Sequence, residues 1–295
     1  GAKAYADAII TYLALALSKY CDLSCIFTHW NSTNQNITNW FQQQSLGMRW
    51  DFAEPNPFDG RMSYKIALGW VSGIVEKLRP NAANESEQLD AVNLTLDNTK
   101  FMICTDPPYY DSIAYASISD FFYIWLRKML SKSYPSILST ILAPKDQELI
   151  ADPARFNGDR EKAAEFFRQG MQSFFSKMHE CTNNSFPITV FYAYKEKTAA
   201  SLGWESMLSG LINQNIMIEQ TWPVRTEKTN RNNAIGTNSL ATSIVLVCRP
   251  KPKNASISTR REFISELRRE LPKKLSQFQF DSLAPVDFAQ ASIGP

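Results

Sequence analysis

The 295-residue chain has few of the side chains that bind metals. It contains two histidines and five cysteines, and Cys21 and Cys25 form its one closely spaced cysteine pair. A structural zinc site needs four such ligands at set spacings, so the sequence predicts no metal site. The scattered cysteines indicate reduced thiols and a cytoplasmic protein, with Cys104 and Cys248 expected inside buried strands.

Long apolar runs are also missing. No segment reaches the ~18 to 20 unbroken apolar residues that cross a bilayer. The nearest, residues 8–17, has neither a basic leader nor the cleavage site of a signal peptide. The sequence therefore predicts no membrane segment, and we expect residues 5–20 to form a buried helix. With 44% apolar residues, the chain can fill a core.

The net charge is small, at +2, but its distribution is uneven. Residues 225–275 carry twelve Lys or Arg and four Glu, an excess of eight positive charges. A stretch of this kind can follow a phosphate backbone. A solvated helix face with charged loops would explain it equally well.

The sequence predicts two amphipathic helices, one at residues 63–78 and the other at residues 260–271. Between residues 22 and 44 the sequence predicts a long polar connection or a small subdomain. The expected inward-facing residues are Ile66, Trp70, Ile74 or Val75 in the first helix, and Phe263, Ile264, Leu267 and Leu271 in the second.

The most informative stretch is Asp106-Pro107-Pro108-Tyr109, which follows an apolar run. Residues 100–104 predict a short buried strand, which the two prolines end because proline cannot donate to a β-ladder. Residues 117–130 then place apolar side chains at helical spacing. In an α/β sheet, a turn between a strand and a helix lies at the carboxyl end of the strand, where these folds bind ligands.

The four residues of this turn suit one kind of chemistry. An aromatic amine is a poor nucleophile because its lone pair is delocalised, and two acceptors on its N–H groups favour the pyramidal form that attacks an electrophilic methyl group. The Asp106 carboxylate and the Pro107 carbonyl are two such acceptors, and the prolines restrict that carbonyl. Tyr109 offers a ring face to a planar base. The alternative is a Pro-Pro turn in which Asp106 caps the next element and Tyr109 is buried.

Asp-Pro-Pro-Tyr after an apolar strand resembles the catalytic tetrapeptide of S-adenosylmethionine-dependent amino methyltransferases. An Asp at its first position favours the DNA adenine-N6 enzymes over the Asn-first forms that act on RNA guanine or protein glutamine. The chain is similar, over nearly all of its length, to the adenine-specific DNA methylases that contain a zinc ribbon. The similar segments are residues 50–58, 106–111, 119–125, 222–227, 246–250 and 284–290.

This resemblance implies an α/β fold with a Rossmann-like class I methyltransferase sheet. The sheet would be mixed, with an antiparallel last hairpin, and the chain would hold only part of the full domain. The elements that predict its second half are strands at residues 100–104, 186–194, 216–225 and 243–248, and helices at residues 117–130, 161–179 and 204–214. Asp159 is the expected N-cap of the helix at residues 161–179.

The predicted organisation has three parts. A helical or irregular N-terminal region covers residues 1–80. A catalytic region with the Asp-Pro-Pro-Tyr motif covers residues 81–255, and a C-terminal helix and tail cover residues 256–295.

The implied cofactor is S-adenosylmethionine. In the resembled enzymes an acidic residue at the end of the preceding strand meets the adenine of the cofactor, and Asp90 is similar to it, with the cap of a turn as the alternative. Thr105 is assigned to the same site. We expect residues 48–58 to form an ordered, buried loop beside the pocket. The candidate pocket residues in this loop are Asp51, Glu54 and Asn56, for which an Asx-turn is the alternative.

The implied substrate is DNA. Residues 226–242 form a polar connection between two predicted strands and are too many for a tight turn. Arg and Asn suit base edges and phosphates, so we expect this loop to contact DNA, with an uninvolved hairpin tip as the alternative. The candidate DNA-binding residues are Tyr110, Arg225, Glu227, Lys228, Arg231 and Asn238, with Tyr110 assisting Tyr109 in stacking on the base.

One expected signal is absent. None of the eleven glycines forms a Gly-x-Gly turn, with which this fold lets its backbone approach the cofactor. In the resembled family this turn lies upstream with the zinc ribbon, so we expect an upstream segment or second subunit to supply it. The sequence thus predicts part of a DNA adenine-N6 methyltransferase, typical of restriction-modification or phage defence. The alternatives are a non-catalytic nucleic-acid-binding relative and an amino methyltransferase acting on cytosine N4 or RNA.

Overall fold

The computed structural model describes residues 1–38, 49–50, 52–78, 86–94, 100–111, 113–192, 201–226, 242–255 and 258–280. The chain has a mixed α/β structure that divides into two compact units. The first unit combines Gly1–Gln88 with Ala114–Glu148, and the second combines Leu89–Ile113 with Leu149–Pro295. This division differs from the predicted boundaries at residues 80 and 255, because Ala114–Glu148 groups with the N-terminal region.

The first unit is mainly helical. Helix α1 (Ala2–Leu23) packs on α2 (Tyr64–Val75) and α3 (Tyr115–Leu130), with Ala14 in a small core. Helix α2 begins after Ser63, whose hydroxyl accepts a hydrogen bond from the Ile66 N–H and so caps the helix. Within the described residues, no helix has the length and apolar composition needed to span a bilayer. The elements are α1 (Ala2–Leu23), β1 (His29–Asn31), β2 (Asn36–Thr38), α2 (Tyr64–Val75), α3 (Tyr115–Leu130) and α4 (Pro135–Leu138).

Strands β1 and β2 form an antiparallel hairpin where the sequence predicts a polar connection. The Asn31 Oδ1 atom accepts hydrogen bonds from the backbone N–H groups of Thr33 and Asn34, at 3.0 and 3.1 Å. Gln35 then takes a φ of 49°, which completes the turn. The polar residues that suggest a loop therefore close a hairpin.

Burial in the first unit differs from the prediction. Helix α1 forms as expected, but most of the large apolar residues of this helix are exposed, and Tyr5 is 72% exposed. On α2 the expected core face is exposed, and Ala67 makes the close contact instead. The loop expected to be buried is also exposed, because Trp50 is 94% accessible. Alanines bring these helices close together, which leaves the longer neighbouring side chains outside the contact.

The second unit contains a four-stranded mixed sheet in the order β3-β4-β6-β5. Strands β3 and β4 are parallel, and β6 is antiparallel to both of its neighbours. The predicted α/β class and the antiparallel last hairpin are confirmed. The strands are β3 (Cys104–Thr105), β4 (Ile188–Tyr192), β5 (Ile216–Arg225) and β6 (Thr242–Pro250).

Three helices accompany this sheet, and two of them build its core. Residues Phe167, Met171 and Phe175 of α5 recur every four residues on one face and are fully buried. Gly210 of α6 allows close approach to α5, because a Cβ there would lie 2.8 Å from the Phe175 ring. On α7, Phe263 is 58% exposed, so its predicted inward position is wrong. The helices are α5 (Arg160–Cys181), α6 (Ser201–Asn213) and α7 (Arg260–Phe280), with a 3-10 turn at Pro153–Phe156.

The strand predicted at residues 100–104 is shorter and more exposed than expected. Strand β3 has two residues, Met102 before it is 67% exposed, and Cys104 is exposed. In the described sheet β3 is an edge strand. The Ile103 carbonyl accepts a hydrogen bond from the Thr189 N–H of β4, so the Cys104 N–H and C=O point away from β4. An apolar run therefore lies at an open edge.

Helix α5 supplies a test of its predicted N-cap, Asp159. Its carboxylate accepts a hydrogen bond from the Lys162 N–H at 3.0 Å, and this bond holds the pKa of Asp159 below its ordinary value. A lowered folded-state pKa adds stability above the unfolded value of about 3.9 and loses it as the pH falls through the folded value. Asn keeps the cap without titrating. When the pH is lowered below about 4, we expect the melting temperature of the Asp159→Asn variant to fall less than that of the wild type. An equal fall in both proteins would contradict the role of Asp159 as the cap.

Candidate functional site

The turn after β3 presents one carboxylate and one ring. Asp106 is exposed, Pro107 is buried and Tyr109 is half-buried. The Tyr109 hydroxyl donates a hydrogen bond to Asp106 Oδ1 at 2.8 Å. Among the described residues no donor reaches Asp106 Oδ2. The structure thus brings together the two side chains predicted to hold and stack on a base, and leaves one carboxylate oxygen open.

Tyr110 anchors this turn to the core. Its φ is 48°, a left-handed conformation that is costly for a large residue. Two contacts offset this cost. The Ala151 N–H donates to the Tyr110 carbonyl at 2.9 Å, and the Tyr110 ring, 6% exposed, meets Phe167 edge-on with a centroid distance of 5.1 Å. Burial, and then the Asp111 carboxylate, raise the pKa of Tyr110. Its ring face is therefore occupied by the core, and the expected stacking of Tyr110 on a base is wrong.

Two aromatic residues that the sequence did not single out support Tyr109. Tyr192 meets the Tyr109 ring edge-on at 5.4 Å, and Trp204 of α6 meets Tyr192 at 4.7 Å. Tyr192 ends β4, and the carboxyl ends of parallel strands lie at the same edge of a sheet. Gly203 lets α6 approach, because a Cβ there would lie 3.2 Å from the Tyr192 hydroxyl. Tyr192 could have been identified from the sequence, because it lies at the end of β4, the strand next to β3.

A cavity of about 360 Å³ lies beside β3 in the second unit. Thr105, a predicted cofactor residue, lines it, and so does Ala91, next to Asp90. The Asp90 carboxylate is engaged locally, because it accepts hydrogen bonds from the Val92 N–H at 3.0 Å and the Asn93 side chain at 2.6 Å. Residues 86–94 form no strand, so Asp90 caps a turn and does not end a strand.

This cavity does not form a complete S-adenosylmethionine site. A site for that cofactor needs polar partners for its ribose, amino acid and adenine groups, and the described lining is mostly apolar. The remaining polar groups are the Thr105 hydroxyl, two thiols and Lys177, whose ammonium pairs with Glu180 at 2.8 Å. The lining residues are Ala91, Leu94, Phe101, Ile103, Cys104, Thr105, Phe174, Lys177, Met178 and Cys181.

The other predicted pocket residues lie in the first unit. Asn56 Oδ1 accepts a hydrogen bond from the Phe58 N–H at 3.0 Å, so the Asx-turn alternative is formed. Glu54 is exposed. Asp51 lies outside the described residues. Their assignment to the pocket stays a prediction.

The predicted DNA-binding loop falls largely outside the described residues. Arg225 ends β5 and pairs with Thr242 of β6, which sets the two ends of the loop side by side. The structure does not describe residues 227–241, which include the candidates Glu227, Lys228, Arg231 and Asn238.

Comparison of the chain with protein-family models, curated proteins and solved structures found no match. The methylase resemblance is therefore carried by the residues quoted for it. What the site can do must follow from its own geometry.

Proposed function

We propose that the second unit holds the amine-binding half of an S-adenosylmethionine-dependent DNA adenine-N6 methyltransferase. The observation that supports this most is the proline-stiffened turn at the carboxyl end of a parallel strand. That turn presents the exposed Asp106 carboxylate beside the Tyr109 ring. Ligand sites of open α/β sheets lie at this end of the strands.

In this proposal Asp106 and Pro107 hold the exocyclic amine of adenine. Asp106 Oδ2 accepts a hydrogen bond from one N–H of the amine, and the Pro107 carbonyl accepts one from the other. These two bonds localise the nitrogen lone pair, so that it can attack the electrophilic methyl group. The Tyr109 hydroxyl bond to Oδ1 keeps the carboxylate in one orientation. The Tyr109 ring, held edge-on by Tyr192, stacks on the base. Rate enhancement comes from alignment of the reacting groups.

The target adenine must leave the DNA stack to reach this turn. The N6 amine is paired inside a duplex, and enzymes that act on it rotate the nucleotide into a pocket. An exposed turn with one ring face suits a base that has been turned out in this way. The structure's half-buried Tyr109 therefore fits a flipped base better than an intact duplex.

The cofactor half is assigned to a further segment or subunit. Two observations support this assignment: the described lining of the 360 Å³ cavity has no complete set of polar partners, and β3 is an open edge in the described sheet. A strand carrying the Gly-rich turn would pair with the Cys104 N–H and C=O, which have no partner in the part of the chain that the structure describes, and would cover Met102. The strand order β3-β4-β6-β5, with β6 antiparallel, is the order expected for the second half of a class I sheet.

Thiol labelling tests the open edge. Cys104 is exposed, whereas Cys248 is fully buried on β6, and burial with a smaller contribution from Glu219 raises its pKa to about 12. We expect rapid alkylation of Cys104 and none of Cys248 in the native chain. The added cofactor-binding segment should slow Cys104 alkylation without changing that of the half-buried Cys25, the control. Unchanged Cys104 reactivity in the assembled protein would contradict pairing at β3.

The proposed activity is tested with methyl-labelled cofactor, the complete gene product and duplex DNA. We expect label in N6-methyladenine, and none when purine, which lacks the amine, replaces adenine. Label in cytosine would identify an N4 enzyme, and label in RNA would identify an RNA enzyme. Cofactor binding without transfer to any of these, or no binding by calorimetry, would favour the non-catalytic nucleic-acid-binding alternative, which the incomplete cofactor site supports.

A further inference from the structure

Helix α7 carries a row of arginines on one side. Arg260, Arg261 and Arg268, here called the arginine stripe, fall within about 100° of the helix circumference at 3.6 residues per turn. All three are exposed. Together with Ile264 and Ser265 they line a cavity of about 560 Å³.

The acidic residues of the same helix are engaged elsewhere. Arg269 pairs with Glu266 and, at 3.0 Å, with Glu270. The Glu262 carboxylate accepts hydrogen bonds from the N–H and hydroxyl of Thr259, at 2.7 and 2.9 Å, and so completes a capping box. Among the described residues, no carboxylate forms an ion pair with the arginine stripe. Three guanidinium groups are therefore left to meet an outside anion.

The position of the stripe on the helix also favours an anion. Arg260 and Arg261 stand in the first turn of α7, where the helix dipole is positive and added cations are unfavourable. An anion bound there would relieve this repulsion. Guanidinium groups remain charged at all physiological pH values and match the geometry of phosphate oxygens.

The length of the stripe fits a polymer of phosphates. From Arg260 to Arg268 the helix rises about 12 Å. Over that distance duplex DNA presents about seven phosphates, counting both strands. A membrane surface also offers phosphates, but a membrane-bound helix needs a free apolar face. Leu275 packs against the core of the second unit, and Leu267 and Leu271 are half-buried, so that face of α7 is largely used.

We propose that the arginine stripe binds the phosphate backbone of DNA, with the choice of DNA over other polyanions resting on the proposed function. The stripe makes no contact that reads a sequence. It adds affinity and orientation, and leaves recognition of the base to other residues.

The experiment measures duplex DNA binding by fluorescence anisotropy of the full chain between about 50 and 200 mM salt. The variant carries Arg260→Gln, Arg261→Gln and Arg268→Gln, and Arg269→Gln is the matched control because Arg269 is already paired. Each lost phosphate contact lowers the slope of log K against log salt by about 0.9. We expect the triple variant to lower the slope by about 2.7 and the control to leave it unchanged. Over this salt range the wild type should lose about 40-fold more affinity than the variant.

Three results would overturn the inference. One is an unchanged slope in the triple variant with normal helix content by circular dichroism. Another is a slope change of about 0.9 in Arg269→Gln, the same change per arginine as in the triple variant, which would mean general surface charge. The third is an unchanged DNA slope with lost binding to anionic phospholipid vesicles, which would identify a membrane site. This experiment measures DNA binding and not methyl transfer, so a negative result would leave the proposal for Asp106 intact. The expected slope change in a protein without methyl transfer would refute only the proposal for Asp106.

Discussion

The Asp106→Ala variant should lose methyl transfer by about 100- to 1000-fold in kcat, because it removes one of the two acceptors that hold the reacting amine. The fold should be retained, since Asp106 is exposed and its one described partner is the Tyr109 hydroxyl. Asp106→Asn should keep part of the rate, because its amide oxygen still accepts a hydrogen bond and Asn-first tetrapeptides serve other amino methyltransferases. Single-turnover kinetics with the complete gene product give this comparison.

Two variants make this result specific. Tyr109→Phe keeps the ring and removes the hydroxyl bond to Asp106, so we expect a loss of about tenfold, the value of one hydrogen bond of moderate strength. Asp59→Ala removes an exposed carboxylate that accepts a hydrogen bond from the Gly60 N–H at 2.7 Å, and should leave the rate unchanged. Activity in Asp106→Ala within about tenfold of the wild type would remove Asp106 from the reaction.

Replacing Phe167 by Ala should lower the free energy of unfolding by about 3–5 kcal/mol. Phe167 is fully buried on α5, and its ring contacts Tyr110 behind the site. Its removal leaves a cavity in the core and takes away the contact that offsets the left-handed backbone at Tyr110. Urea denaturation measures the change, with an unaltered dependence on urea if the unfolded state is the same.

Phe263→Ala is the matched control for this variant. Phe263 lies on α7 with 58% of its surface exposed, so its loss should change stability by about 0.5 kcal/mol or less. Similar losses in Phe167→Ala and Phe263→Ala would mean that the core does not lie where the structure places it.

The sequence predicted best those elements whose pattern is long and regular. Strand β5 has the predicted bounds, and α5 begins at its predicted cap, Asp159, because each carries a complete pattern of burial and end signals. Burial was predicted least well. The apolar runs of α1 and around Met102 are exposed. A hydrophobic pattern predicts that a surface tends to be buried, but it does not identify the element that buries it.

The candidate site was predicted in part for the same reason. Asp106 and Tyr109 are neighbours in sequence, so their contact follows from one turn. Tyr192 and Trp204 reach the site through strand pairing and helix packing, which a single sequence does not reveal. Tyr110 looks like Tyr109 in sequence, yet its left-handed backbone turns it into the core.

The most direct measurement is mass spectrometry of nucleosides from the DNA of cells that express the complete gene, with wild-type or Asp106→Ala sequence. Attack by an amine held between Asp106 and the Pro107 carbonyl predicts N6-methyldeoxyadenosine in the first culture and none above background in the second. Equal amounts of this nucleoside in both cultures, or no methylated base in the first, would contradict it.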